Sequence, residues 1–228
     1  MAKQLELHLK TINRKTREVT NLTLNAFMDS MKAFENLDQE LATEVRNTAD
    51  IIEEKTQGIE ENVFETIARR QPVAKDLREL ATYLAVSHHL YRIGRYSYKI
   101  AHIVRLCEGK EHFKELISLP YLADLAKQTL EIAMAAVLDR DLSRLDELEK
   151  LEADSDKETS EMFEEIVDYL RKREDIVTMA MYYVIIGRYC ERAADHAFSI
   201  AERAVFMIKG ERTKLGLAYK GKSSYAPH

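Results

Sequence analysis

Between Met179 and Met207 the residues at 179, 183, 186, 190, 193, 197, 200, 204 and 207 are all apolar, in alternating steps of four and three. That spacing is the buried seam of a helix packed in a bundle. One hundred residues earlier the same steps fall on Glu79, Tyr83, Val86, Leu90, Ile93, Ser97, Ile100, Val104 and Cys107, a second seam in the same phase. Tyr83 and Tyr183, Arg92 and Arg192, Ile100 and Ile200, and Ala101 and Ala201 are identical across that offset. Two long helices sharing one beat indicate an internal repeat and leave little room for a sheet.

Breaks fall near Asn36–Asp38, at "RRQP" ending in Pro72, at "CEGKEHFKELISLP" ending in Pro120, near Asp139–Asp141 and around Glu174. Pro72 and Pro120 suit the first turn of a helix, where a missing N–H costs nothing. Short connections make neighbouring helices antiparallel. The expected fold is therefore all-α, two tandem antiparallel three-helix bundles. The first repeat spans 1–110, the second 111–209, and a flexible polar tail follows at 210–228.

Only 7 of the 228 residues are Gly and 3 are Pro, while 46% are hydrophobic, which suits long helices around a real core. The net charge of −5 offers no basic stripe for a phosphate backbone, so nucleic acid is not an expected partner. No apolar run approaches the ~20 residues of a membrane span, and the opening "MAKQLELHLK" lacks a signal-type apolar stretch, so a cytoplasmic location is expected. Cys107 and Cys190 sit on the seams and read as buried thiols rather than as a disulfide or metal ligands.

On the last helix Glu191 and Asp195 stand four residues apart, outside the seam. If the chain reverses near Glu174, antiparallel counting places Asp156 opposite Glu191 and Glu152 opposite Asp195, because both helices rise ~1.5 Å per residue. Asp124 on the preceding helix reaches a similar height. One acid pair among 39 acidic residues is ordinary solvated surface, but two pairs at one level repel unless a cation or a proton compensates. Oxygen ligands of this kind suit a hard or borderline metal cation. His196 is turned ~100° from Asp195 and reads as a surface residue. The neighbours His88 and His89 cannot both face one ligand and receive no site role.

In the first half the same counting sets Tyr91 opposite Glu53 and Arg95 opposite Ala49. Arg95, beside Asp50 or Glu53, takes the place of a cation, so a metal site is expected in the second half alone. Basic residues gather at Arg69–Arg70 and Arg171–Arg173, where each second helix ends. They read equally as cations favouring the helix dipole or as a surface for anionic lipid, which limits any membrane association to a peripheral one.

The stretch "ERAADHAFSIA", Glu191–Ala201, resembles the helix signature of the PhoU family of phosphate-uptake regulators. "YRIGRYSYKIA", Tyr91–Ala101, resembles it more loosely, and "IARRQPVAKDLREL", Ile67–Leu80, is similar to the family pattern; coverage runs from about Leu22 to Met207. Tyr91 and Arg95 depart from the signature's acids. The resemblance implies two three-helix bundles, no catalysis, and metal clusters, iron or zinc, held by the Glu-x-x-x-Asp motif that Glu191 and Asp195 match here. It also implies tuning of phosphate uptake through an ATP-binding cassette phosphate transporter and, in bacteria, a sensor kinase. A homodimer is compatible with it, as is service to a phosphate symporter. The competing reading is a carboxylate-bridged metalloenzyme of the ferritin-like kind, but the inward Glu-x-x-His pairs of that chemistry are missing at the acidic level.

Overall fold

In a computed structural model, which describes residues 2–216, the chain forms six helices and, among the described residues, no strand. They are α1 (Ala2–Asn36), α2 (Gln39–Arg70), α3 (Ala74–Leu106), α4 (Ser118–Leu138), α5 (Glu147–Leu170) and α6 (Val177–Lys209). The first three and the last three make two three-helix repeats, as the seams predict.

Each break has a local cause. The Asp38 carboxylate accepts hydrogen bonds from the backbone N–H groups of Glu40 and Leu41, both at 3.0 Å, and caps α2. Gln71 closes α2 in the left-handed conformation (φ 47°), its N–H donating to the Ile67 carbonyl. Pro120 lies in the first turn of α4 as expected, but Pro72 does not enter α3. The reversal after α2 uses a left-handed Gln71 and an extended Val73 (φ −128°, ψ 159°), and Pro72 lies between them. Gly210 ends α6 at φ 82°, a conformation that favours glycine.

Both seams are buried position for position. Tyr83 and Tyr183, Val86 and Ile186, Leu90 and Cys190, Ile93 and Ala193, Ile100 and Ile200, and Val104 and Ala204 all lie in the core. Both cysteines are buried and free. In each repeat the third helix approaches the second at a glycine. A Cβ on Gly94 would lie 3.0 Å from Ile52 Cγ2, and one on Gly187 would lie 2.6 Å from Met162 Cε.

A single hydrophobic core runs through both repeats. They join along α3 and α6, which cross antiparallel: His89 meets His196 (Nδ1 to Nδ1, 2.9 Å), and Tyr96 stacks on Tyr189 with ring centroids 5.6 Å apart. Subtracting or adding 100 turns the first pair into the second, so the two contacts are mates about a pseudo-twofold axis near Arg92 and Arg192. His196 therefore corrects the sequence reading. It is half-buried at the repeat junction, with its Nε2 3.2 Å from the Tyr96 hydroxyl, and His89 shares this contact. Burial, aided by neighbouring cationic groups, pushes both imidazoles down to about 4, so they are neutral at physiological pH.

The linker and the α4–α5 turn fasten the junction. His112 sits with Nδ1 2.8 Å from the Tyr183 hydroxyl and Nε2 2.9 Å from the Phe34 carbonyl, bridging α6 and α1. Asn13 donates from Nδ2 to the Tyr83 hydroxyl (2.9 Å) and to the Leu138 carbonyl (3.1 Å). Burial pushes the Tyr83 hydroxyl up to about 12, so it stays protonated throughout the physiological range. Beyond Leu138, Arg140 reaches Glu79 at 2.5 Å, and Glu79 is a buried carboxylate at 7% exposure while Arg140 remains partly open to solvent.

That asymmetry sets an ordering. Arg140→Met leaves a carboxylate unpaired inside the protein, a loss of about 3 kcal/mol, whereas Glu79→Gln leaves a guanidinium that can still reach water and costs less. Urea denaturation at pH 7 should rank Arg140→Met below Glu79→Gln in stability. The reverse order would show that Glu79 finds another partner.

Candidate metal centre

The four carboxylates singled out from the sequence line one groove between α5 and α6: Glu152 and Asp156 on α5, Glu191 and Asp195 on α6. Its α4 wall is Leu125 and Thr129, not Asp124, whose carboxylate instead accepts from Gln128 Nε2 at 2.7 Å. The groove has a volume of about 230 Å³.

The helix register differs by about two residues from simple counting. Met162 lies opposite Gly187. Six residues further along each helix, Asp156 comes level with Ala193, between Glu191 and Asp195 rather than directly opposite Glu191. Glu152 is displaced toward the C-terminal end of α6.

Asp195 reaches solvent along its outer edge, while the groove wall desolvates the rest of the carboxyl. Its pKa is raised above the ordinary aspartate range, first by that burial and then by Glu191, with Asp156 adding to the repulsion and Arg188 and Arg192 opposing it. Glu191 forms an ion pair with Arg188, one turn back on the same helix. Glu152 lies against the chain that leaves α6: a Cβ on Gly216 would stand 2.9 Å from its Oε2. Expected to fray, the segment 211–216 instead returns along α6, with Glu202 accepting from Lys214 Nζ (3.1 Å) and from the Leu215 N–H (3.0 Å). The rest of the expected tail, 217–228, lies outside the described residues.

The donors are of the right chemical type for an oxygen-liganded cation, and the repulsion at Asp195 is what such a cation would relieve. The side chains share a groove without closing on one point. Among the described residues no three His, Cys, Asp or Glu side chains are grouped tightly enough to hold a metal ion.

The first repeat supplies the contrast. Arg95 extends to Asp50 (3.3 Å) and Glu53 (3.8 Å), as the sequence indicates, and its guanidinium lies 4.2 Å from the ring centroid of Tyr98. A side-chain cation stands where the second repeat carries the carboxylate of Asp195, one hundred positions on. Sequence reasoning missed the contribution of Tyr98, whose hydroxyl also accepts from Arg46 Nη2 at 2.7 Å. Tyr98 follows Arg95 by three positions, and that i, i+3 spacing on one helix is the signal by which the contact could have been found. The basic clusters are also less available than their sequence implies. Arg171 pairs with Asp168 (3.1 Å), Arg173 with Asp175 (2.6 Å) and Arg69 with Glu65 (3.1 Å).

The family model for the PhoU domain matches residues 16–104 and 119–204, one match per repeat. The chain is 24% identical over 214 residues to a phosphate-specific transport system accessory protein PhoU homolog of Clostridium acetobutylicum, covering 93% of this chain and 98% of that one. It is 27% identical over 210 residues to PhoU homolog 1 of Thermotoga maritima, covering 92% and 90%. Among solved structures, PhoU from Pseudomonas aeruginosa superposes with a TM-score of 0.85 at 24% identity, over 90% of this chain and 99% of that one. The PhoU regulatory protein from Streptococcus pneumoniae superposes with a TM-score of 0.83 at 22% identity, over 92% and 100%. With both repeats matched over most of their length, the chain belongs to the PhoU domain family.

Proposed function

We propose that this protein is a non-catalytic adaptor that tunes phosphate uptake by contacting an ATP-binding cassette phosphate transporter and a sensor kinase. The observation that carries the reading is the match of both repeats to the PhoU domain, together with relatives named as accessory proteins of a phosphate-specific transport system. No helix among the described residues is long and apolar enough to cross a membrane. Cross-linking and affinity capture from phosphate-replete cells should recover the transporter's ATPase subunit. Recovery of a phosphate symporter instead would move the protein to a different transport system.

The second-repeat groove is the proposed cation site, with Glu191, Asp195, Asp156 and Glu152 as ligands. A bound cation would offset the repulsion at Asp195 and compete with Arg188 for Glu191. Iron and zinc are the metals to test. Elemental analysis should find metal in the wild type and little in a Glu191→Ala, Asp195→Ala double variant. Equal content in the two would remove the groove as the site.

The raised pKa of Asp195 gives a pH dependence with a definite sign. An acid whose folded-state pKa lies above its unfolded value penalises the folded protein at neutral pH, and the penalty is relieved as pH falls through the raised value. Asp195→Asn should therefore raise the thermal midpoint of metal-free protein at pH 7, the gain in stability being no more than about 1 kcal/mol because the carboxyl is open to solvent. The gain should vanish near pH 4, where aspartates ordinarily protonate. In the first repeat, Tyr91→Glu with Arg95→Asp should add metal to the purified protein, since Glu53 and Asp50 already face that position. No increase would mean that the first groove lacks more than two ligands.

A further inference from the structure

A second cleft, of about 270 Å³, opens between α3, the C-terminal part of α6 and the returning segment 211–216. His89, Ser199, Arg203, Phe206, Arg212 and Thr213 line it. We propose that this cleft binds a phosphoryl oxyanion, with the guanidinium groups of Arg203 and Arg212 as the principal ligands and the hydroxyls of Ser199 and Thr213 completing the set.

Charge is the first argument. The acid at the cleft, Glu202, is already satisfied by Lys214 and by the Leu215 N–H. Arg203 has no carboxylate partner among the described residues, and the Arg212 guanidinium rests 5.6 Å from the centroid of the Phe206 ring, a contact that leaves its N–H groups uncommitted. In a chain with 39 acidic residues against 34 basic ones, two guanidiniums without carboxylates lining one cleft are a local excess of positive charge. Arginine presents a planar fork of donors that matches tetrahedral phosphoryl oxygens two at a time.

The hydroxyls are the second argument. Elsewhere on these helices Thr16, Thr20, Thr82 and Thr129 each donate to the carbonyl four residues back. Ser199 on α6 and Thr213 on the returning segment make no hydrogen bond among the described residues, and both line the cleft with hydroxyls open to solvent. His89 has its Nδ1 held by His196, which leaves Nε2 as its remaining polar atom.

The ordinary alternative is that basic residues collect at the C-terminus of α6 because they complement the helix dipole. It accounts for the charges but not for their gathering with Ser199, Thr213 and His89 around one cleft. The proposal is independent of the cation groove and does not require it.

Isothermal titration at constant ionic strength distinguishes these readings. Inorganic phosphate should bind saturably, chloride should not, and Arg203→Gln or Arg212→Gln should weaken phosphate binding ~10-fold or more, the effect of losing one charge-assisted bidentate contact. Arg14→Gln, a change at a distant exposed ion pair, should have no effect. A parallel flotation assay uses vesicles of phosphatidic acid and of phosphatidylcholine. Binding to phosphatidic acid alone, lost in the same two variants and without free-phosphate binding, would assign the cleft to a lipid phosphoryl group. No binding in either assay, or binding that survives both substitutions, would overturn the proposal.

Discussion

The antiparallel contact of α3 with α6 is what the rest of the molecule is arranged around. Each helix buries its seam in its own repeat and still offers a face to the other, so both are covered on more than one side while α2 and α5 stay peripheral. The His89–His196 and Tyr96–Tyr189 pairs fix how far the two helices slide past each other. That register in turn places the α4–α5 turn against α1 and α3, where Asn13 and Glu79 receive it. Without this contact the two repeats would be separate bundles, each too thin to bury the apolar residues that now form one core.

The repeats share a fold but have diverged where they are chemically interesting. Arg95 brings a permanent cation to the first groove, held by Asp50, Glu53 and the face of Tyr98. The second groove keeps its acids and leaves Asp195 under repulsion. One groove is neutralised by an arginine held between its two acids, and the other pairs Glu191 with Arg188 while Asp195 keeps a raised pKa. The two copies of one scaffold thus differ in charge at corresponding positions, Arg95 in the first and Asp195 in the second.

Much of this was legible in the sequence. The seams of α3 and α6 could be read because burial on one face of a helix imposes a period that nothing else mimics, and all four groove acids could be placed because antiparallel helices rise at the same rate. The two-residue offset in their register left no signal in the sequence, because the helix ends, Leu170 and Val177, stand symmetrically about the counted reversal. The pairing of His89 with His196 was hidden for a different reason. A seam shows which residues face inward within one repeat, but not which flank of the helix meets the other repeat, and His196 lies on that flank. The return of residues 211–216 along α6 depends on Glu202 capturing a backbone N–H, an interaction with no sequence period at all.

Helix α5 has a consequence of its own. It fully buries only Leu148, Met162 and Ile166, whereas its counterpart α2 buries eight residues. A helix held by so few apolar contacts has a low local opening free energy, so its amides exchange with solvent well before those of α3 and α6. Glu152 and Asp156 ride on that helix. The groove between α5 and α6 therefore has one wall in the least firmly held helix of the fold and the other in one of the most deeply buried.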